Sequence, residues 1–153
     1  MNTFLPFPDI DLDLYLPKLK ADTAPLWGKM SAQHMLEHLA WPLRIAAGET
    51  IVPVFTPAEK VQKAKELFLM SDTPFKKFIR IPLLAEEPMS LEFSNMQEAR
   101  TNLESWIKKF VLHFEETPAA VHAHPVFGPL NYDEWIFFQR KHFTHHFSQF
   151  GLV

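Results

Sequence analysis

The stretch from Asn131 to Gly151, NYDEWIFFQRKHFTHHFSQFG, constrains this chain more than any other. It reads as one complete helix. Asn131 can cap its start, and Glu134 three residues later suits a reciprocal capping box, in which side-chain oxygens accept from backbone N–H groups that have no helical partner. Gly151 stands where a left-handed C-terminal cap is expected. At about 100° per residue, Tyr132, Trp135, Ile136, Phe143, Phe147 and Phe150 gather into one apolar stripe. His142 and His146, spaced i and i+4, fall only about 40° apart at one edge of that stripe. His145 turns roughly 100° from His146, toward a side expected to be polar with Lys141 and Ser148. Two imidazoles thus face inward side by side, and such a pair can give two nitrogen ligands to one metal ion.

The rest of the composition says what kind of metal site is open to the chain. There are eight histidines and no cysteines in 153 residues. Disulfides, thiolate zinc sites and a cysteine nucleophile are excluded, and a reducing compartment fits. Any metal must be held by nitrogen and oxygen, for which neutral imidazole is the commonest protein donor. With 47% hydrophobic and 22% charged residues, the chain is expected to form one domain over residues 1–153 around a hydrophobic core. A net charge of -3 gives no electrostatic reason to expect nucleic acid or an anionic membrane as partner. The start, MNTFLPFPDIDLDLYL, has no basic region and no continuous apolar run, and nowhere does an apolar run approach the roughly 20 residues of a membrane span. A cytoplasmic, full-length protein is the expectation. The four glycines, Gly28, Gly48, Gly128 and Gly151, lie too far apart for a phosphate-cradling loop.

Along the chain, Pro6 and Pro8 mark an extended arm laid over the surface, and a short helix is expected around Pro17. The second strong helix runs from a Ser31 cap to Ala47, closed by Gly48. Met35, Leu36, Leu39, Leu43 and Ala46 form its buried stripe, opposite Gln33, Glu37 and Arg44. His38 lies at the edge of this stripe, and His34 is one turn earlier and about 40° nearer solvent. Pro42 sits inside this helix, where a kink is expected. Thr56-Pro57-Ala58-Glu59 signals a short charged helix to about Leu69. Residues 71–93 show no periodicity; a lid, a binding loop or a plain crossover fits, and Lys76, Lys77 and Arg80 read as a solvated patch. Ser94 or Asn95 caps a third long helix to about Phe114, with Leu103, Trp106, Ile107, Phe110, Val111 and Phe114 on its apolar face. His113 on that helix reads as a structural histidine. AAVHAHPVFGPL reads as a connection, with His122 and His124 as loop or packing residues.

Several amphipathic helices joined by proline-rich connections imply an all-α bundle. Bundles build their sites from side chains on facing helices, which is where His38, His142 and His146 would meet.

The pairing of WGKMSAQHMLEHLAWPLRIAAGE with HPVFGPLNYDEWIFFQRKHFTHHFSQFG resembles the DinB-like superfamily, and within it a bacterial subfamily. The resemblance runs from about Pro25 to Gly151 and is strongest at the two histidine-bearing helices. It implies a four-helix bundle of up-down-down-up topology, often a homodimer. It also implies a divalent metal on one histidine of the second helix and a His-x-x-x-His pair of the last, here His38, His142 and His146. Members of that superfamily include thiol-dependent enzymes, a mycothiol-dependent maleylpyruvate isomerase and bacillithiol transferases. Zinc and nickel head the expected metals, with iron and manganese behind them, since imidazole suits all of these.

A three-histidine site leaves a coordination position open. It can activate water for hydrolysis or present a low-molecular-weight thiol as thiolate. The expected function is therefore a metal-dependent S-transferase or hydrolase acting on a small organic substrate. The competing reading is a non-catalytic bundle that binds metal or ligand. No catalytic residue is assigned beyond His34, which is placed to serve as fourth ligand or proton shuttle, or else is an exposed helix histidine. Glu37 adjoins His38 in sequence but points about 100° away.

Overall fold

A computed structural model describes residues 3–77 and 90–153 of the chain. These are mostly helical. In chain order they form α1 (Leu12–Tyr15, continued by a 3-10 turn Leu16–Lys18), α2 (Ala32–Ala46), α3 (Ala58–Ala64, continued by a π-helical turn Lys65–Leu69), α4 (Met96–Glu116), strands β1 (His122–His124) and β2 (Gly128–Leu130), and α5 (Tyr132–Gln149).

The expected caps form. Asn131 Oδ1 accepts from the Glu134 N–H at 2.9 Å, and Glu134 Oε1 accepts from the Asn131 N–H at 3.1 Å. Ser31 Oγ accepts from the His34 N–H at 3.1 Å, and Asn95 rather than Ser94 caps α4. The start of α3 differs from expectation. Pro57 occupies the capping position, with no side-chain hydrogen bond there, so Thr56 is not the cap. Gly48, at φ +78°, ends α2 because a left-handed residue is needed there, and a Cβ would come 2.7 Å from the His122 ring.

α2 packs along α4 and also meets α5 and β1. All five stripe residues expected on α2 are buried, and on α4 the fully buried positions include Leu103, Phe110 and Phe114. Trp106, Ile107 and Val111 are only partly covered. The N-terminal arm does more than lie over the surface. Phe7 is wholly buried, with its ring 5.2 Å from that of Phe110 and 5.4 Å from that of Phe143. Leu5 N–H donates to Thr144 Oγ1 at 2.8 Å and Arg140 Nε donates to the Phe7 carbonyl at 3.2 Å, so the arm is pinned to α5 on both sides of that ring.

Two further expectations are corrected. The connection AAVHAHPVFGPL folds into an antiparallel hairpin, with His122 paired to Leu130 and His124 to Gly128. And the side of α5 expected to be polar is covered. Lys141 is 1% exposed, its Nζ donating to the carbonyls of Phe68 (2.6 Å), Leu69 (3.3 Å) and Ser71 (3.1 Å). The end of the α3 segment has its last carbonyls free, and an ammonium on a long apolar stem supplies three donors to them. Burial lowers the Lys141 pKa to about 8, against the raising effect of Asp72. Among the described residues, no helix is long and apolar enough to cross a membrane. Arg80, Pro82 and Pro88 of the expected loop lie outside the described residues.

Candidate metal centre

α2 and α5 bring His38, His142 and His146 together. One ring nitrogen from each lies within 4.8 Å of the other two. The three rings meet edge to face, with centroids 4.7 to 4.9 Å apart. His142 Nε2 and His38 Nε2 stand 3.0 Å from each other. Phe138, one turn earlier on α5, stacks on the His142 ring at 5.0 Å. The i, i+4 spacing on α5 supplies two rings, and the stripe edge of α2 supplies the third.

The electrostatics favour neutral imidazoles. Burial, with a smaller contribution from the charge of His145, lowers the His38 pKa to about 4. His142 and His146 are held well below the ordinary histidine range, first by burial and then by the neighbouring imidazoles. At neutral pH each therefore keeps a nitrogen lone pair, which is the form that binds a metal. The group contains no carboxylate.

The donor set fits a divalent transition metal. Nitrogen ligands sit about 2.0–2.1 Å from zinc, so two on one tetrahedral ion are roughly 3.3 Å apart, close to the His38–His142 separation. Without a cation, two Nε2 atoms that close must share one proton as an N–H···N bond. His142 Nδ1 is buried and has no hydrogen-bond partner among the described residues.

His146 is held from behind. Its Nδ1 lies 2.7 Å from Gln149 Oε1, and Gln149 Nε2 donates to the Trp27 carbonyl at 3.0 Å. Sequence reasoning missed Gln149. Its signal was the i, i+3 spacing from His146, which puts an amide on the same face of the helix. His145 also lies nearer the site than its angle implied, its ring 4.9 Å from that of His146 and 5.6 Å from that of Trp27. Burial lowers its pKa, against a hydrogen bond to the Phe75 backbone. Lys77, from the expected solvated patch, sits 4.4 Å over the Trp27 ring.

The remaining histidines are occupied elsewhere. His34 is outside the three-residue group, and its Nδ1 lies 2.5 Å from Ser31 Oγ at the start of α2. Glu37 accepts from the Glu92 and Phe93 N–H groups and so fixes the approach to α4. His124 is buried among Phe127, Trp135 and Phe138, its Nδ1 accepting from the Val126 and Phe127 N–H groups at 3.0 and 3.3 Å. His113 and His122 face each other, Nε2 to Nε2, at 2.9 Å. Compared with protein-family models, with curated proteins and with solved structures, the chain matches none of them.

Proposed function

We propose that His38, His142 and His146 bind one divalent transition metal, and that the protein is a metal-dependent enzyme acting on a small organic substrate by S-transfer from a low-molecular-weight thiol or by hydrolysis. The observation that carries the reading is the convergence of three imidazoles, two of them buried and His38 half-buried, each kept neutral by desolvation, with no carboxylate among them. Zinc or nickel is the preferred ion, ahead of iron or manganese, because an all-imidazole set suits the borderline metals best. Such an ion supplies Lewis acidity, which brings the ionisation of water or of a thiol near neutral pH. The chain's own part is to hold three lone pairs in one place and to wall the site with Phe138. The resemblance to the DinB-like superfamily supports the same reading. With it we assign α2, the α3 segment, α4 and α5 to a four-helix bundle of up-down-down-up order, and the homodimer as the working assembly.

The test is a paired assay of zinc-loaded and nickel-loaded protein. One arm follows glutathione, or a bacterial thiol of the same size, adding to an electrophilic aromatic substrate. The other follows hydrolysis of activated esters and amides. Turnover in one arm, abolished in His38→Ala with helicity retained, is expected. Absence of turnover in both arms from protein carrying a full equivalent of metal would favour the non-catalytic bundle instead.

A further inference from the structure

The metal reading above asks that His146 offer a lone pair toward His38 and His142, and one amide decides whether it does. We propose that Gln149 is a positioning residue of the metal centre: it fixes the tautomer and the orientation of His146.

The argument is one of donors and acceptors. The Trp27 carbonyl can only accept, so the Gln149 atom 3.0 Å from it must be the NH2 group. The other end of that amide is then Oε1, which also can only accept. It lies 2.7 Å from His146 Nδ1. His146 Nδ1 must therefore carry the proton, and in a neutral ring Nε2 is left with its lone pair free. The chain builds this clamp deliberately. Gln149 is 5% exposed, its own carbonyl accepts from the Leu26 N–H at 2.7 Å, and its side chain runs past Gly28. Gly28 has φ +79°, and a Cβ there would meet Gln149 Nε2 at 3.0 Å, so the glycine both makes the turn and clears room for the amide. The segment before α2 thus anchors an amide on the last turn of α5, and that amide orients the ligand one turn back.

Partners of this kind raise ligand basicity and hold the ring's direction, and losing one typically costs tenfold to a hundredfold in metal affinity. The test uses the full chain with 15N-labelled histidine, stripped of metal with chelator. Long-range 1H–15N correlations give the tautomer of His146, and competition with a chromophoric chelator gives its zinc affinity. Wild type should show His146 protonated on Nδ1. Gln149→Met, similar in size but without the acceptor, should lose the Nδ1–H preference and bind zinc about tenfold to a hundredfold more weakly. Gln149→Glu keeps an acceptor for His146 and should recover most of that affinity, although its bond to Trp27 is gone. A purely structural Gln149 would lower stability in both variants while leaving tautomer and affinity unmoved, and that outcome overturns the proposal. So does an Nε2–H tautomer for His146 in metal-free wild type, a result that needs no variant to fold. Wild type that takes up no zinc defeats the metal reading itself, whereas zinc bound equally well by wild type and Gln149→Met defeats only the role of Gln149.

Discussion

Lys141 shows how far a charged side chain is carried into this protein when backbone carbonyls meet it. By helical angle it belongs on the side of α5 away from the aromatic stripe, and the sequence offers nothing that covers that side. The cover comes from the end of the α3 segment, whose carbonyls at Phe68, Leu69 and Ser71 take all three of its hydrogen-bond donors. Lys141→Met keeps the apolar stem and removes the donors, leaving these acceptors without their partner. A loss of about 1–3 kcal/mol is expected in urea-unfolding midpoints, since an unsatisfied buried acceptor forfeits its solvation. An unchanged midpoint would mean that water replaces the ammonium at no cost. The clustering of the histidines, by contrast, is legible in the sequence, because i, i+4 spacing fixes the azimuth of His142 and His146 and the stripe edge that of His38 without any knowledge of the partner element. The contact of Gln149 with His146 follows a local i, i+3 spacing, but its anchor on the Trp27 carbonyl, like that of Lys141 on the carbonyls of residues 68–71, lies far away in sequence. No periodicity in α5 encodes a carbonyl contributed from elsewhere.

At the scale of elements, caps and apolar stripes located α2, α4 and α5 to within about a residue or two, because both signals are local. The hairpin between α4 and α5 escaped them. Its strands are three residues each, too short to show alternation, and Pro125 and Pro129 read as a plain connection. What places it is long-range: Trp135 Nε1 donates to the His122 carbonyl at 3.2 Å and the His122 ring closes on Gly48. The arm before α1 is a similar case. Two prolines identify an extended segment, but only the fold shows that Phe7 plugs the gap between Phe110 and Phe143. Phe7→Ala is expected to cost about 3–5 kcal/mol, the range for emptying a fully buried aromatic site. Thermal unfolding with and without the substitution checks it, and a loss below about 1 kcal/mol would show that the arm folds away from the core without consequence. α2 carries one more local feature of note. Its helix continues through Pro42, and Pro42 has no N–H for the carbonyl four residues back, which is that of His38. The turn bearing His38 therefore lacks one helical hydrogen bond.

For the whole molecule, two long helices far apart in sequence deliver three imidazoles to one point, while the other polar side chains of α2 and the hairpin have partners of their own and, among the described residues, the Gln139 amide one turn before His142 is buried without one. His34 attends the α2 cap, Glu37 the approach to α4, and His124 its own turn. Two of the three ligand candidates are different: His38 and His142 have only each other at Nε2, and His142 Nδ1 has no hydrogen bond among the described residues, whereas His146 has Gln149. Holding three imidazoles so close together, two of them buried, is a cost that a bound cation offsets, and it is why the metal reading is preferred to a core of coincidental histidines. The most direct measurement is the metal content of protein purified without a histidine tag, beside His142→Ala prepared in the same way. About one equivalent of a transition metal per chain in the wild type, lost in the variant, is predicted. No metal in either, even after incubation with zinc, nickel or manganese, would contradict the account.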